Sequence, residues 1–207
     1  MLLPYATGLG LGASAIIAIG AQNAFVLSQG LRRNYPVMIA LVCALCDALL
    51  ITAGVAGLGT LVATYPPLTK VAAWGGGAFL IWYGCSAFIR VFQDEKLTEN
   101  ANSTKGWRAI LTATLAITLL NPHVYIDTVV VLGGIGGQFP ASERFAFALG
   151  AISASFIWFF TIALGAAWLA PYIARPITWK IIDIVTAGVM WMVAWHLLAP
   201  EIRFLLS

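Results

Sequence analysis

Leu119-Leu120-Asn121-Pro122-His123-Val124-Tyr125-Ile126-Asp127 is the stretch that decides the fold. It lies inside an apolar segment covering about residues 109–132, where a membrane helix would otherwise be expected. Proline removes a backbone donor and its ring clashes with the preceding turn, so the run predicts a kinked or broken helix. An asparagine, a histidine and an aspartate surround that break, and lipid accommodates none of them easily. A broken apolar helix with an acid just beyond the break points to a binding site and not to a membrane anchor.

The rest of the chain suits that solvent. Of its 207 residues 61% are hydrophobic and 9% charged, and mean hydropathy is +0.92. Soluble domains carry roughly 25% charged residues, so composition predicts a membrane protein with almost no soluble portion. The length supplies six spans of about 20 residues with short connections. A net charge of +3 is too diffuse to suggest nucleic acid and reads as a topology signal. Cys43, Cys46 and Cys85 all fall in apolar segments; Cys43-x-x-Cys46 has a redox spacing but no soluble context, so packing is the expected role. No secretory leader is expected, because the first apolar segment lacks a basic start and is long enough to span.

Charges and prolines place spans at about 4–28, 37–63, 68–91, 109–133, 145–170 and 178–199. The one substantial polar loop, 93–108, separates a first unit, 1–92, from a second, 109–207, with three spans each. An odd number of spans per half inverts the second half. Each half carries a polar break in its first helix, Gly20-Ala21-Gln22-Asn23 and Asn121-Pro122-His123. Each also has a Gly- and Trp-containing third helix. The expected fold is therefore an all-α polytopic membrane protein: six transmembrane helices forming one domain, as a 3+3 inverted repeat with broken first and fourth helices. Odd-numbered loops hold eight Lys and Arg residues against three elsewhere, which puts those loops in the cytoplasm and both termini outside. Glycines such as Gly8, Gly10, Gly12, Gly54, Gly57 and Gly59 suit close helix approach in lipid.

Of eight acidic residues, three fall within expected spans: Asp47, Asp127 and Asp183. A carboxylate at a helix centre costs about 2.5–3.5 kcal/mol, so all three need water, a partner or a proton. No lysine or arginine lies deep in a span to neutralise them, which makes them candidates to bind a cation or a proton. Asp183 sits near the start of its helix and has Lys180 three residues before it as a ready partner. The two breaks supply the opposite polarity, because a half-helix starting inside the membrane presents free N–H groups and a positive dipole end. Such ends suit a carboxylate, while Asp47 and Asp127 suit a cationic group. That pairing describes an amino acid, and the surplus of acids a basic one. Gln22, Asn23 and Asn121 either bond the ligand or satisfy the opened backbone. His123 is a proton relay or an ordinary hydrogen-bonding residue, and His196, near the outer end of the last helix, reads as interfacial. No phosphate-binding loop, paired-histidine metal spacing or nucleophile elbow occurs. No enzyme and no cofactor is expected, and an ion or substrate gradient must drive transport. A channel or metal-ion permease lined by the same acids is the alternative, though the missing thiolate and histidine clusters disfavour soft metals.

Gly20-Ala21-Gln22-Asn23-Ala24-Phe25-Val26-Leu27, Cys46-Asp47 and the Leu120–Thr128 run containing Asn121-Pro122-His123-Val124-Tyr125-Ile126-Asp127 resemble the LysE-type superfamily of bacterial amino-acid exporters. The resemblance covers essentially the whole chain, and the Asn-Pro-His-x-Tyr-x-Asp run, Tyr125 included, is similar to the branch handling basic amino acids. It implies export of L-arginine, with L-lysine and canavanine as further substrates, across the bacterial inner membrane and driven by the proton gradient. It leaves a homo-oligomer open. Members usually carry Gly-Pro at the first break; here Ala21 stands in place of that proline.

Overall fold

A computed structural model describes residues 1–17, 20–58, 66–92, 106–172 and 176–206. Within them every regular element is helical. Helix α1 (Leu2–Ile16) and helix α2 (Ala21–Leu31) form one bent pair, 81° apart. Gly20 enters α2 with φ −146° and ψ 173°, extended backbone of the kind that caps a helix start. Helix α3 (Pro36–Ala53) starts with proline in its first turn, where the missing N–H is not needed. It continues as a π-helical turn, Gly54–Leu58, which ends its regular path at Gly57 with φ 105°. Helix α4 is Pro66–Val91.

The quoted stretch breaks where proline demands it. Helix α5 (Trp107–Leu119) stops just before Asn121, and α6 (Pro122–Gly136) leaves at 58°. The Asn121 side chain accepts a hydrogen bond from the His123 amide at 3.1 Å, capping α6. Residues Tyr125–Leu132 wind as a π-helix, a wider coil often found at functional sites. Helices α7 (Ala141–Leu169) and α8 (Pro176–Leu206) are long and uninterrupted.

Three stretches, Pro36–Gly57, Ala141–Tyr172 and Ile177–Pro200, are each long and apolar enough to cross a membrane, and counting each bent pair as one broken span brings the number among the described residues to five. Helix α4 has 26 residues, about 39 Å at 1.5 Å per residue. The chain is an all-α polytopic membrane protein. The polar loop falls at 93–105, outside the described residues, as do Gly59 and the end of the span expected at 37–63.

Helix α7 is the central post, packed against α1, α2 and α3, while α4 lies along α8 and α3 also receives α5 and α6. The α1–α7 seam is built of small residues: a Cβ at Gly8 would overlap the carbonyl oxygen of Phe147, and one at Gly150 that of Tyr5. Gly10, on the opposite side of α1, has nothing within 4 Å of that position. Large apolar side chains such as Leu49, Ile157 and Trp168 point outward, as a lipid-facing surface requires.

Candidate functional site

Where the two breaks face each other the helices leave a cavity of about 490 Å³. Its floor and walls come from elements distant in sequence. The start of α2 contributes Gly20, Ala21, Gln22 and Asn23; the second break contributes Asn121 and His123; the π-helical part of α6 contributes Asp127 and Thr128. Asp47 enters from the middle of α3, Phe159 from α7, and Met192, Trp195 and His196 from α8. The charged side chains in that lining are both carboxylates, and no lysine or arginine is among it. The cavity therefore favours cations, while the first turn of α2 supplies backbone N–H groups that an α-helix leaves without internal acceptors.

The polar side chains are held by specific partners. Asp47 is buried, and its Oδ2 accepts from the Ser155 hydroxyl at 2.7 Å. Gln22 Nε2 donates to Thr118 Oγ1 at 3.2 Å, joining α2 to α5. Asn23 closes the first break: its Nδ2 donates to the Ile16 carbonyl at 2.8 Å, and its Oδ1 accepts from Trp158 Nε1 at 3.2 Å. Cys43 and Cys46 are free and buried in the packing, with Cys43 Sγ 3.8 Å from Thr118 Oγ1.

Six of the residues singled out in the sequence meet in this cavity: Gln22, Asn23, Asp47, Asn121, His123 and Asp127. Three do not line it. Pro122 is buried behind it and acts by breaking the helix. Tyr125 braces the break, its hydroxyl donating to the Leu119 carbonyl at 2.8 Å; the amide that would normally serve that carbonyl, that of His123, is turned to Asn121. Asp183 is corrected most. Its partner is not Lys180 but two arginines that reach in from the ends of α2 and α4, Arg32 at 2.6 Å and Arg90 at 3.0 Å. The expectation that no basic residue neutralises a membrane acid therefore fails at Asp183, because arginine's long stem carries its charge inward.

His196, read from the sequence as interfacial, also lines the cavity and stacks on His123, with ring centroids 5.6 Å apart and planes at 25°. Ser155, Trp158, Phe159 and Thr118 went unnoticed in the sequence. Ser155 and Trp158 fall one helical turn apart, and that spacing was the only signal available for them.

Apolar helices broken in mid-span around a cavity that holds two carboxylates define a membrane transport protein. The LysE type translocator family model matches residues 13–200, and the chain belongs to that family. It is 48% identical over 209 aligned residues to the "Arginine exporter protein ArgO" of Klebsiella pneumoniae (strain 342), with 100% of this chain and 99% of the relative covered. It is 49% identical over 195 residues to the protein of the same name in Escherichia coli (strain K12), covering 93% and 92%. It is 48% identical over 199 residues to that of Salmonella typhi, covering 95% and 94%. No solved structure matches the chain.

Proposed function

We propose that this chain is a secondary transporter of the bacterial inner membrane that exports L-arginine from the cytoplasm in exchange for protons. L-lysine and canavanine are the further substrates to test. One observation carries the reading: Asp47 and Asp127, from opposite halves of the chain, line one cavity whose lining holds no lysine or arginine. Arginine offers two cationic groups to those two acids, and its guanidinium stays protonated at any physiological pH. The names of the relatives point to the same substrate. A volume of about 490 Å³ falls inside the range of roughly 300–1,000 Å³ usual for small-molecule pockets.

In this reading Asp47 binds substrate or proton in turn, and Asp127 selects for a cationic side chain. The first turn of α2, Gln22 and the Asn121 amide receive the α-carboxylate. His123, beside Asp127, is a candidate relay. The reading includes a 3+3 inverted repeat with units 1–92 and 109–207, cytoplasmic odd-numbered loops and outward termini. It is supported by reciprocal packing: α3 pairs with α7, α4 with α8, α1 lies on α7 and α5 on α3. Helix α4 then serves as the sixth span. No cofactor enters the cycle.

The test is counterflow of radiolabelled arginine in proteoliposomes. Saturable exchange competed by lysine and canavanine, and lost in Asp47→Asn, is expected. Asp127→Asn should keep some flux but lose the preference for arginine over neutral amino acids. Non-saturable flux of inorganic cations in the wild type would mark a channel and overturn the reading.

A further inference from the structure

Helix α7 contributes two hydrogen bonds to the cavity wall from one face, and neither donor was assigned a role by the acids or the breaks. Ser155 is fully buried, and its hydroxyl donates to Asp47 Oδ2 at 2.7 Å. Trp158, three residues further on, donates its indole N–H to Asn23 Oδ1 at 3.2 Å. Asn23 in turn donates to the Ile16 carbonyl at 2.8 Å, so the indole holds the first break through it. Phe159, next along α7, is buried and lines the cavity itself.

The element that carries these donors is one of the two unbroken helices in the site. Helices α1 and α2 form a bent pair, α5 and α6 another, and α3 ends in a π-helical turn. Helix α7 runs 29 residues without interruption and packs against α1, α2 and α3. A site keeps its geometry when its groups are locked by a second layer on a rigid element.

We infer that Ser155 and Trp158 are positioning residues that fix the separation between the cation pole at Asp47 and the carboxylate pole at the start of α2, and so set which length of basic amino acid the cavity prefers. The inference rests on the proposed arginine-export function and deepens it. One face of one helix holds both poles, three residues apart, a rise of about 4.5 Å. Loss of the serine bond frees the Asp47 carboxylate to turn within the cavity, and a shorter cationic side chain then reaches it as well as a longer one.

Arginine and lysine distinguish the two cases, because both carry the same charges on chains of different length. KM for each is measured by counterflow in proteoliposomes, with the amount of monodisperse protein checked for every variant. In Ser155→Ala we expect KM for arginine to rise about tenfold, the loss of one hydrogen bond to a charged group, while KM for lysine changes less and the arginine preference shrinks. Ser155→Thr, which keeps the hydroxyl, should restore the preference. Trp158→Phe keeps an aromatic ring, smaller than the indole, and removes the N–H; it should shrink the preference too, and it provides the test if the threonine methyl prevents folding. Ser153→Ala is the control, because Ser153 does not line the cavity and bonds the Leu149 carbonyl of its own helix, at 2.7 Å.

Equal loss for arginine and lysine in both Ser155→Ala and Trp158→Phe, or the same shift in Ser153→Ala, overturns the positioning role. If wild-type protein shows no saturable arginine exchange, the transport reading falls and takes this inference with it. If wild type exchanges arginine and the ratio is unchanged in both variants, the positioning role alone falls.

Discussion

Thr118 shows how much a single hydroxyl holds in this site. It is fully buried, accepts from the Gln22 amide at 3.2 Å and lies 3.8 Å from the Cys43 sulfur. Thr118→Val keeps the shape and deletes the acceptor, leaving a buried amide donor unpaired. That costs about 1–3 kcal/mol, and we expect a lower melting temperature in detergent, whereas Thr118→Ser should melt close to wild type. At this scale the sequence was legible where residue type alone signals cost. An aspartate in a span must be explained, so Asp47 and Asp127 stood out. Serine and threonine do not stand out, because in apolar helices they bond their own preceding turn by default, as Ser153 does. Ser155 breaks that pattern by bonding Asp47 across helices, and nothing in the linear sequence separates the two serines. The partners of Tyr125 and Asp183 were hidden for a related reason: one belongs to a polar motif but braces a backbone carbonyl, and the other is paired by residues far along the chain.

Helices were legible where proline and glycine cut them. Pro122 has one physical outcome in a helix, and the α5–α6 break follows it. The first break lacks a proline, and Asn23 holds its two arms together instead. Ala21 is the first residue of α2 and Gly20 before it is extended, the conformation that a residue preceding proline adopts. Ala21→Pro should therefore be tolerated, with counterflow retained and stability changed by no more than about 1 kcal/mol. The small-residue rows were legible as packing, but their partners were not. Gly8→Leu forces a side chain into the Phe147 carbonyl on α7, and Gly10→Leu points away from the bundle. We expect the first to abolish monodisperse protein and the second to leave yield and melting unchanged in size-exclusion and thermal-shift measurements. The π-helical winding of α6 had no sequence signal.

Across the whole molecule, two polar centres are separated along the same helices. On α8, Asp183 and the cavity residue Met192 are about 14 Å apart at 1.5 Å per residue; on α2, Gln22 and Arg32 are about 15 Å apart by the same rise. At the cavity end the polar groups are braced by α7. At the other end Asp183 ties α8 to α2 and α4 through Arg32 and Arg90, while Gln29 Nε2 donates to the Tyr83 hydroxyl at 2.7 Å beside them. Asp183→Ala leaves two arginines facing each other. Removing one partner of a fully buried pair costs about 3–5 kcal/mol. Here the arginine side chains are 24% and 22% exposed, so hydration reduces the loss to about 1–3 kcal/mol. Arg32→Gln should lose less in the same thermal-shift assay, because Arg90 still pairs the acid. Overall class was legible from composition; this second centre was not, since it joins residues 151 positions apart. It also has an electrical consequence. Two guanidiniums on one carboxylate leave one net positive charge inside the protein, and α2 carries part of it. A membrane potential of 100 mV is worth about 2.3 kcal/mol for each elementary charge moved fully across. Any movement that carried Arg32 through part of the membrane field would therefore also be a small current.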